Sequence, residues 1–257
     1  MKEKTKIILP SDDDDMKLTL SKAYDICKKA EFSYGCFFTK FLTPLEAATI
    51  NERFPKSDPE LHFFGGYGGA QRVVAMFGKE DEYTSYPIRA VKVRTKNGEV
   101  LSHRDYLGAV LALGLKREII GDILVRDDDA IILCLDGYCE YICDNLTSVA
   151  SAQVSANAEC DLSSLKLAPK FEKIPRTVSS LRADCVISAF TGKSRSDTVR
   201  LIERGLVTHN FKQLKSPDAK IKDKDVISVR GFGKCNILTS NTTTKKGRIY
   251  VEIEKYI

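Results

Sequence analysis

Residues 181–234 read "LRADCVISAFTGKSRSDTVRLIERGLVTHNFKQLKSPDAKIKDKDVISVRGFGK". Val186, Ile187 and Phe190 lie on one stripe of a helix expected over Leu181–Phe190. Thr191-Gly192-Lys193 turns the chain. Ser194 or Ser196 then caps a second helix that runs through Glu203 and stops at Gly205. Val199, Leu201 and Ile202 pack it on the first helix. "LVTH" and "DVISVRG" read as short strands. The stretch is therefore a helix pair followed by strands.

Its cations are grouped. Arg182 opens the first helix, and Lys193, Arg195, Arg200 and Arg204 lie on or beside the second. Lys212, Lys215, Lys220, Lys222 and Lys224 decorate the strand connections, and Arg230 ends a strand. A guanidinium is a planar fork that fits phosphate with two N–H bonds, and a helix start adds free N–H donors. Such a surface holds a nucleic-acid backbone without reading bases. The competing account is salt bridging to Asp197 and Glu203.

Working outward, charge divides the chain. Residues 1–165 carry 20 Lys and Arg against 26 Asp and Glu, whereas residues 166–257 carry 20 against 9. A basic third on an acidic body points to a polyanion as partner. "KLAPKFEKIPRTVSS", with Pro169 and Pro175, reads as a linker at the change of composition. The expected division is a mixed helical domain over 1–86, a second domain over 87–160, a linker over 161–178 and the basic domain over 179–257.

Residues 87–157 have the rhythm β-α-β-β-α-β, the split βαβ order of ferredoxin-like domains, which RNA-recognition motifs share. "IRAVKVRT", "GDILVRD", "AIILCLD" and "SVASAQVSA" are the strands. "SHRDYLGAVLALG" and "GYCEYICDNL" are the helices. "ILVRD" and "AIILCLD" lack the aromatics with which RNA-recognition motifs stack bases. The fold class is α+β.

His103-Arg104-Asp105 is the triplet of a kinase catalytic loop. Such a loop needs Asn five residues after its Asp, and Val110 stands there; the DFG element is absent too. Ser102 and Asp105 instead have the spacing of a capping box. His103 and Arg104 remain on the helix's first turn, as weaker candidates for RNA contact.

Before position 87, helices are expected over residues 16–30 and from Thr43-Pro44. "LHFFGGYGGAQRVVAMFG" reads as a strand, a glycine-rich turn and a short helix. The turn lacks the third glycine of a dinucleotide loop, and Arg72 is a candidate for a phosphate or a partner. The eight cysteines form no CxxC pair, and there are three histidines. Cys134, Cys139 and Cys143 are read as reduced, partly buried thiols rather than metal ligands. No apolar run approaches the ~18 residues of a membrane helix, and the N-terminus lacks the form of a secretory signal. No metal, cofactor, membrane or small-molecule substrate enters the reading.

The basic stretch resembles the S-four RNA-binding domain. Arg182-Ala183-Asp184, Ser194-Arg195-Ser196, Gly205-Leu206-Val207 and Asp225 to Gly231 match its pattern in order. It departs at Asn210-Phe211, where the family has Asn-Gly; Phe211 is expected to need a different turn. With "GGYGGAQR" and "LSHRDYLGAVLALGLKREIIGDI" upstream, the chain resembles the bacterial YlmH family over roughly residues 20–235. The family has an acidic residue after "GGY" where this chain has Gly68. The resemblance implies a cytoplasmic, non-enzymatic RNA-binding protein, monomeric when free. It also implies association with the large ribosomal subunit and with tRNA in rescue of stalled translation. Candidate RNA contacts are Arg182, Lys193, Ser194, Arg195, Ser196, Arg200, Arg204, Lys212 and Arg230. Two other classes stay open: an adaptor in cell division, and an rRNA-modifying enzyme.

Overall fold

The computed structural model describes residues 14–33, 35–54, 59–126, 129–159, 162, 168, 171–244 and 247–256. Pro169, Cys160 and the acidic pair Asp127-Asp128 lie outside them. The chain forms two compact units, Met1–Ala168 and Pro169–Ile257. The expected boundary near residue 86 thus falls inside one unit.

The first unit begins with α1 (Asp14–Ser33), β1 (Phe37–Leu42), α2 (Pro44–Arg53), β2 (Leu61–Phe64) and β3 (Val73–Phe77). Thr43 caps α2 through a full capping box with Glu46, as Thr-Pro-x-Glu dictates. The helix expected after the glycine turn is instead β3. "VVAMF" is short, partly β-branched and buried along almost its whole length, which is how a central strand reads. It is the middle strand of an antiparallel sheet in the order β1-β3-β2. α1 buries Leu20, Ala23 and Cys27 with Ile50, Ala75 and Phe77, while Leu18 points outward.

Next come β4 (Ile88–Thr95), α3 (His103–Ala112), β5 (Ile120–Val125), β6 (Asp129–Leu135), α4 (Cys139–Asn145), β7 (Ser148–Val149) and β8 (Ala152–Glu159). Their sheet runs β5-β6-β4-β8-β7. The single last strand expected from "SVASAQVSA" is split by a tight turn, with Ala150 at φ 50°. Alternation along β4 and β6 sends Val91, Val93, Ile132 and Cys134 to one face, where Tyr106 and Val110 of α3 and Ile142 of α4 meet them. Ile88, Ala90, Ile131 and Leu133 take the other face and pack on Phe41 and Val74 of the first sheet. Helices, sheet, sheet and helices therefore stack in four layers.

The second unit contains β9 (Phe171–Val178), α5 (Ala183–Thr191), α6 (Arg195–Glu203), β10 (Val207–His209), β11 (Lys212–Gln213), β12 (Asp225–Val229), β13 (Gly233–Thr243) and β14 (Ile249–Tyr256). One sheet holds them in the order β11-β10-β12-β13-β14-β9. Residues 171–178, expected as linker, are its edge strand: β9 pairs with β14 over its full length. Pro175 is tolerated because an edge strand need not use every N–H. Val186, Ile187 and Ile202 of the helix pair close a core over Val207, Ile227, Ile237 and Ile253.

Candidate nucleic-acid interface

Asp184 organises the basic end of the second unit. It lies in the first turn of α5, where the helix dipole favours an anion, and is 3% exposed. Arg182, the N-cap residue, donates from Nε and Nη2 to its two oxygens at 3.2 and 3.3 Å. Arg195, the first residue of α6, donates from Nη2 at 2.6 Å. Burial opposes ionisation of Asp184, but the bonds from Arg182 and Arg195 outweigh it and hold its carboxyl at about 2. The side chains of Arg182 and Arg195 remain 47% and 58% exposed. Each guanidinium has five N–H donors, so donors are left over for an outside anion. Lys220 sits beside Arg182 through a β-bridge.

Ser194 caps α6. Its hydroxyl accepts from the Asp197 N–H at 3.2 Å and donates to the Asp197 carboxylate at 2.6 Å. Ser196 lies 2.9 Å from that hydroxyl. Lys193 is exposed in the turn between the helices. Arg182, Lys193, Ser194, Arg195 and Ser196 thus belong to the region where the two helices meet.

The remaining candidates lie apart. Arg200 is 74% exposed and reaches Asp197 only at 3.5 Å. Arg204 is the C-cap of α6, about 13 Å along the axis from Arg195. Arg230 joins that far end, since its N–H donates to the Leu206 carbonyl at 2.9 Å. Lys212 is exposed on edge strand β11. His103 and Arg104 are exposed on the first turn of α3, in the other unit. The cations that look like one group in the sequence are therefore spread along α6 and onto β11.

Two features missed in the sequence are Arg176 on β9 and Arg248 before β14, both exposed. Arg176 was hidden by the linker reading.

In the first unit, the glycine loop and the "GDI" motif form one clasp. Asp122 of β5 accepts from the Tyr67 hydroxyl at 2.8 Å and from the N–H groups of Gln71 and Arg72 at 2.6 and 3.1 Å. Arg72, expected at a phosphate or a partner, turns inward. It donates to the carbonyls of Ile120, Phe41 and Arg117, and burial lowers its pKa. Arg117 lies beside it, and burial together with Arg72 brings its pKa down to about 10. A Cβ on Gly65 would stand 2.3 Å from the Arg72 carbonyl oxygen, so only glycine allows this closure.

Packing of Phe41 and Val74 also covers the apolar part of the sheet face that RNA-recognition motifs keep open. Lys92, Arg94 and Arg126 lie within 4 Å of buried Asp129, at 3.4, 3.9 and 3.9 Å. Asp105 is the capping residue that its spacing predicted: Ser102 donates to it from N and Oγ at 2.8 and 2.6 Å, which lowers its pKa. Burial raises the Cys134 and Cys143 thiols, the latter to about 11, so both stay protonated and unreactive at neutral pH. Among the described residues no group of three or more His, Cys, Asp or Glu is placed to hold a metal, and no helix is long and apolar enough to cross a membrane.

Residues 82–163 match a family described as "Putative RNA-binding domain in YlmH". Over 246 residues the chain is 30% identical to the ribosome-associated protein quality control protein P2 of Bacillus subtilis (strain 168), an alignment that spans 94% of this chain and 95% of that protein. It is also similar to the solved structure of the cell division protein ylmH from Streptococcus pneumoniae, with a TM-score of 0.50 at 20% identity. That match covers 63% of this chain and 99% of the other, and is a likeness of fold.

Proposed function

The chain belongs to the YlmH family, and from that premise we propose that it is a non-enzymatic, cytoplasmic RNA-binding protein of ribosome-associated quality control. It acts on the large subunit and tRNA during rescue of stalled translation. The carrying observation is the buried Asp184 that holds Arg182 and Arg195 side by side at a helix start, with unused donors facing solvent. We read the second unit as an S-four-type domain and the β4–β8 sheet with α3 and α4 as a ferredoxin-like unit. The basic helix pair grips phosphates, which accounts for a grip on folded RNA independent of sequence.

The Bacillus subtilis relative supports the ribosomal role by its name and by its nearly full-length match. The test is sedimentation of the full chain with purified bacterial ribosomes over a salt series, with the R182Q/R195Q variant alongside. The expected result is binding that falls with log salt by about 0.7–0.9 per phosphate contacted, weakened in the variant. Absence of ribosome binding at every salt concentration overturns the reading and leaves the alternative of an adaptor in cell division.

A further inference from the structure

The sheet of the second unit has two faces, and the helix pair takes one. Ile249, Val251 and Ile253 of β14 join the core under α5 and α6. Alternation sends Tyr250 of β14, and Thr177 directly opposite it on β9, to the outer face. Arg248 lies on that face too. Its Nε and Nη2 donate to the hydroxyl and carbonyl of Thr177, at 3.1 and 2.6 Å. The Arg248 guanidinium and the Tyr250 side chain therefore flank one threonine on one face. Two residues apart in an extended chain, their Cα atoms stand about 7 Å from each other.

Both side chains have unused capacity. Tyr250 is 45% exposed, and among the described residues its ring meets no other ring or cation and its hydroxyl has no partner. Tyr256, on the same face at the other end of β14, is engaged. It packs edge-on against Phe171 at 4.7 Å, lies under the Lys234 ammonium at 4.0 Å and donates its hydroxyl to Asn236 at 3.1 Å. Between the two tyrosines, Glu252 and Glu254 are matched by Lys173, at 3.1 and 3.5 Å. Arg248 has no carboxylate partner among the described residues. Neutral oxygens fix it and leave its charge uncompensated, with most of its five N–H donors unused.

We propose that Tyr250 and Arg248 form a contact site for one unpaired nucleotide of RNA, with the base stacked on the Tyr250 ring and the phosphate on the Arg248 guanidinium. An exposed aromatic ring stacks on any unpaired base, and a guanidinium fork fits phosphate. The sugar of a nucleotide spans the short distance between them. An acidic side chain supplies the anion without the flat ring beside it. The site lies on the sheet face turned away from α5 and α6, separate from the Arg182–Arg195 pair. The proposal rests on the RNA-binding reading above and adds a preference for single strands that a phosphate grip lacks. The competing account is structural: Arg248 ties β14 to β9, and Tyr250 is an ordinary exposed side chain.

The test measures binding of the full chain to single-stranded oligoadenylate, to an RNA duplex and to purified ribosomes across a salt series. The proteins are the parent, Y250L, Y250F, R248Q and R182Q/R195Q, each with its thermal melt. The expected result is a loss of about tenfold in oligoadenylate binding by Y250L, the scale of one stacked base, with Y250F close to the parent. R248Q should lower the oligoadenylate salt slope by about 0.7, one phosphate of a single strand. Neither Y250L nor R248Q should change duplex binding, whereas R182Q/R195Q should weaken both. If Y250L binds oligoadenylate as the parent does while R182Q/R195Q does not, the nucleotide site is overturned and the RNA-binding reading stands. Binding of the parent to ribosomes but not to oligoadenylate has the same meaning. If Y250L and Y250F lose affinity equally and in step with their melting temperatures, the ring is a structural element and the proposal fails. If Y250L and R248Q lose binding to poly-glutamate but not to RNA, the site belongs to an acidic polypeptide, which also overturns it. A parent that binds none of the three RNA probes refutes both readings at once.

Discussion

The Arg195 guanidinium stands 2.6 Å from a carboxylate oxygen of Asp184, eleven residues earlier in the chain and almost fully buried. The contact joins the starts of α5 and α6. It turns two flexible side chains into a fixed pair, because Arg182 shares the same carboxylate. Holding a long side chain in place before binding lowers the ordering cost of the complex.

Asp184 therefore has a distinctive pH signature. Its folded pKa of about 2 lies below the ordinary value of 3.8. The stability it contributes is fully present above the unfolded value and is lost as pH falls through the folded one. Asp184→Asn should melt at a lower temperature than the parent from pH 7 down to about 4, and the gap should close toward pH 2. A gap that stays constant to pH 2 would show that the carboxylate's charge is not what stabilises the helix pair.

Arg195 and Arg200 should differ in RNA binding, although the sequence treats them alike. Arg195 is anchored and Arg200 is 74% exposed with one long contact to Asp197. Arg195→Ala should weaken ribosome binding about tenfold, the scale of one charge-assisted hydrogen bond. Arg200→Ala should have a clearly smaller effect. Equal losses at fixed salt would count against pre-organisation by Asp184.

Phe211 is a point of stored strain. Asn210 and Phe211 make the two-residue turn between β10 and β11, with φ of 47° and 67°. The turn keeps positive φ at both positions, as a primed hairpin demands, so the different turn expected for Phe does not occur. Asparagine tolerates that geometry and phenylalanine does not, at a cost on the order of 1–3 kcal/mol. Phe211→Gly should raise stability by about 1 kcal/mol in urea unfolding, after loss of the half-buried ring. A destabilised variant would mean that the ring's packing outweighs the strain.

The Asp122 clasp should be a stability element of the first unit. Asp122→Asn places an N–H₂ among three donors and should cost about 1.5–3 kcal/mol. Gly65→Ala should be at least as damaging, since its Cβ meets the backbone of Arg72 at 2.3 Å. Unchanged melting of both variants would contradict the clasp.

Several elements were legible from local rules. Capping boxes at Thr43 and Ser102 announce α2 and α3 because a cap involves only four neighbouring residues. Strand alternation announces β4, and the helix pair follows from its apolar stripes and Gly192. Residues 73–77 misled because a short apolar run has no period that separates helix from strand. Residues 171–178 misled because a proline and mixed polarity describe an edge strand as well as a linker.

The sequence by itself determined the order of elements in residues 87–157, the helix pair at 183–203 and the concentration of positive charge after residue 166. These depend on contacts between near neighbours and on composition. Only the tertiary structure decided that Arg72 turns inward to three backbone carbonyls, that β9 completes the second sheet, and that Arg182 and Arg195 share Asp184 while Arg204 stands at the far end of its helix. A side chain's partners across the fold depend on which distant residues pack beside it, and neither periodicity nor charge count carries that information.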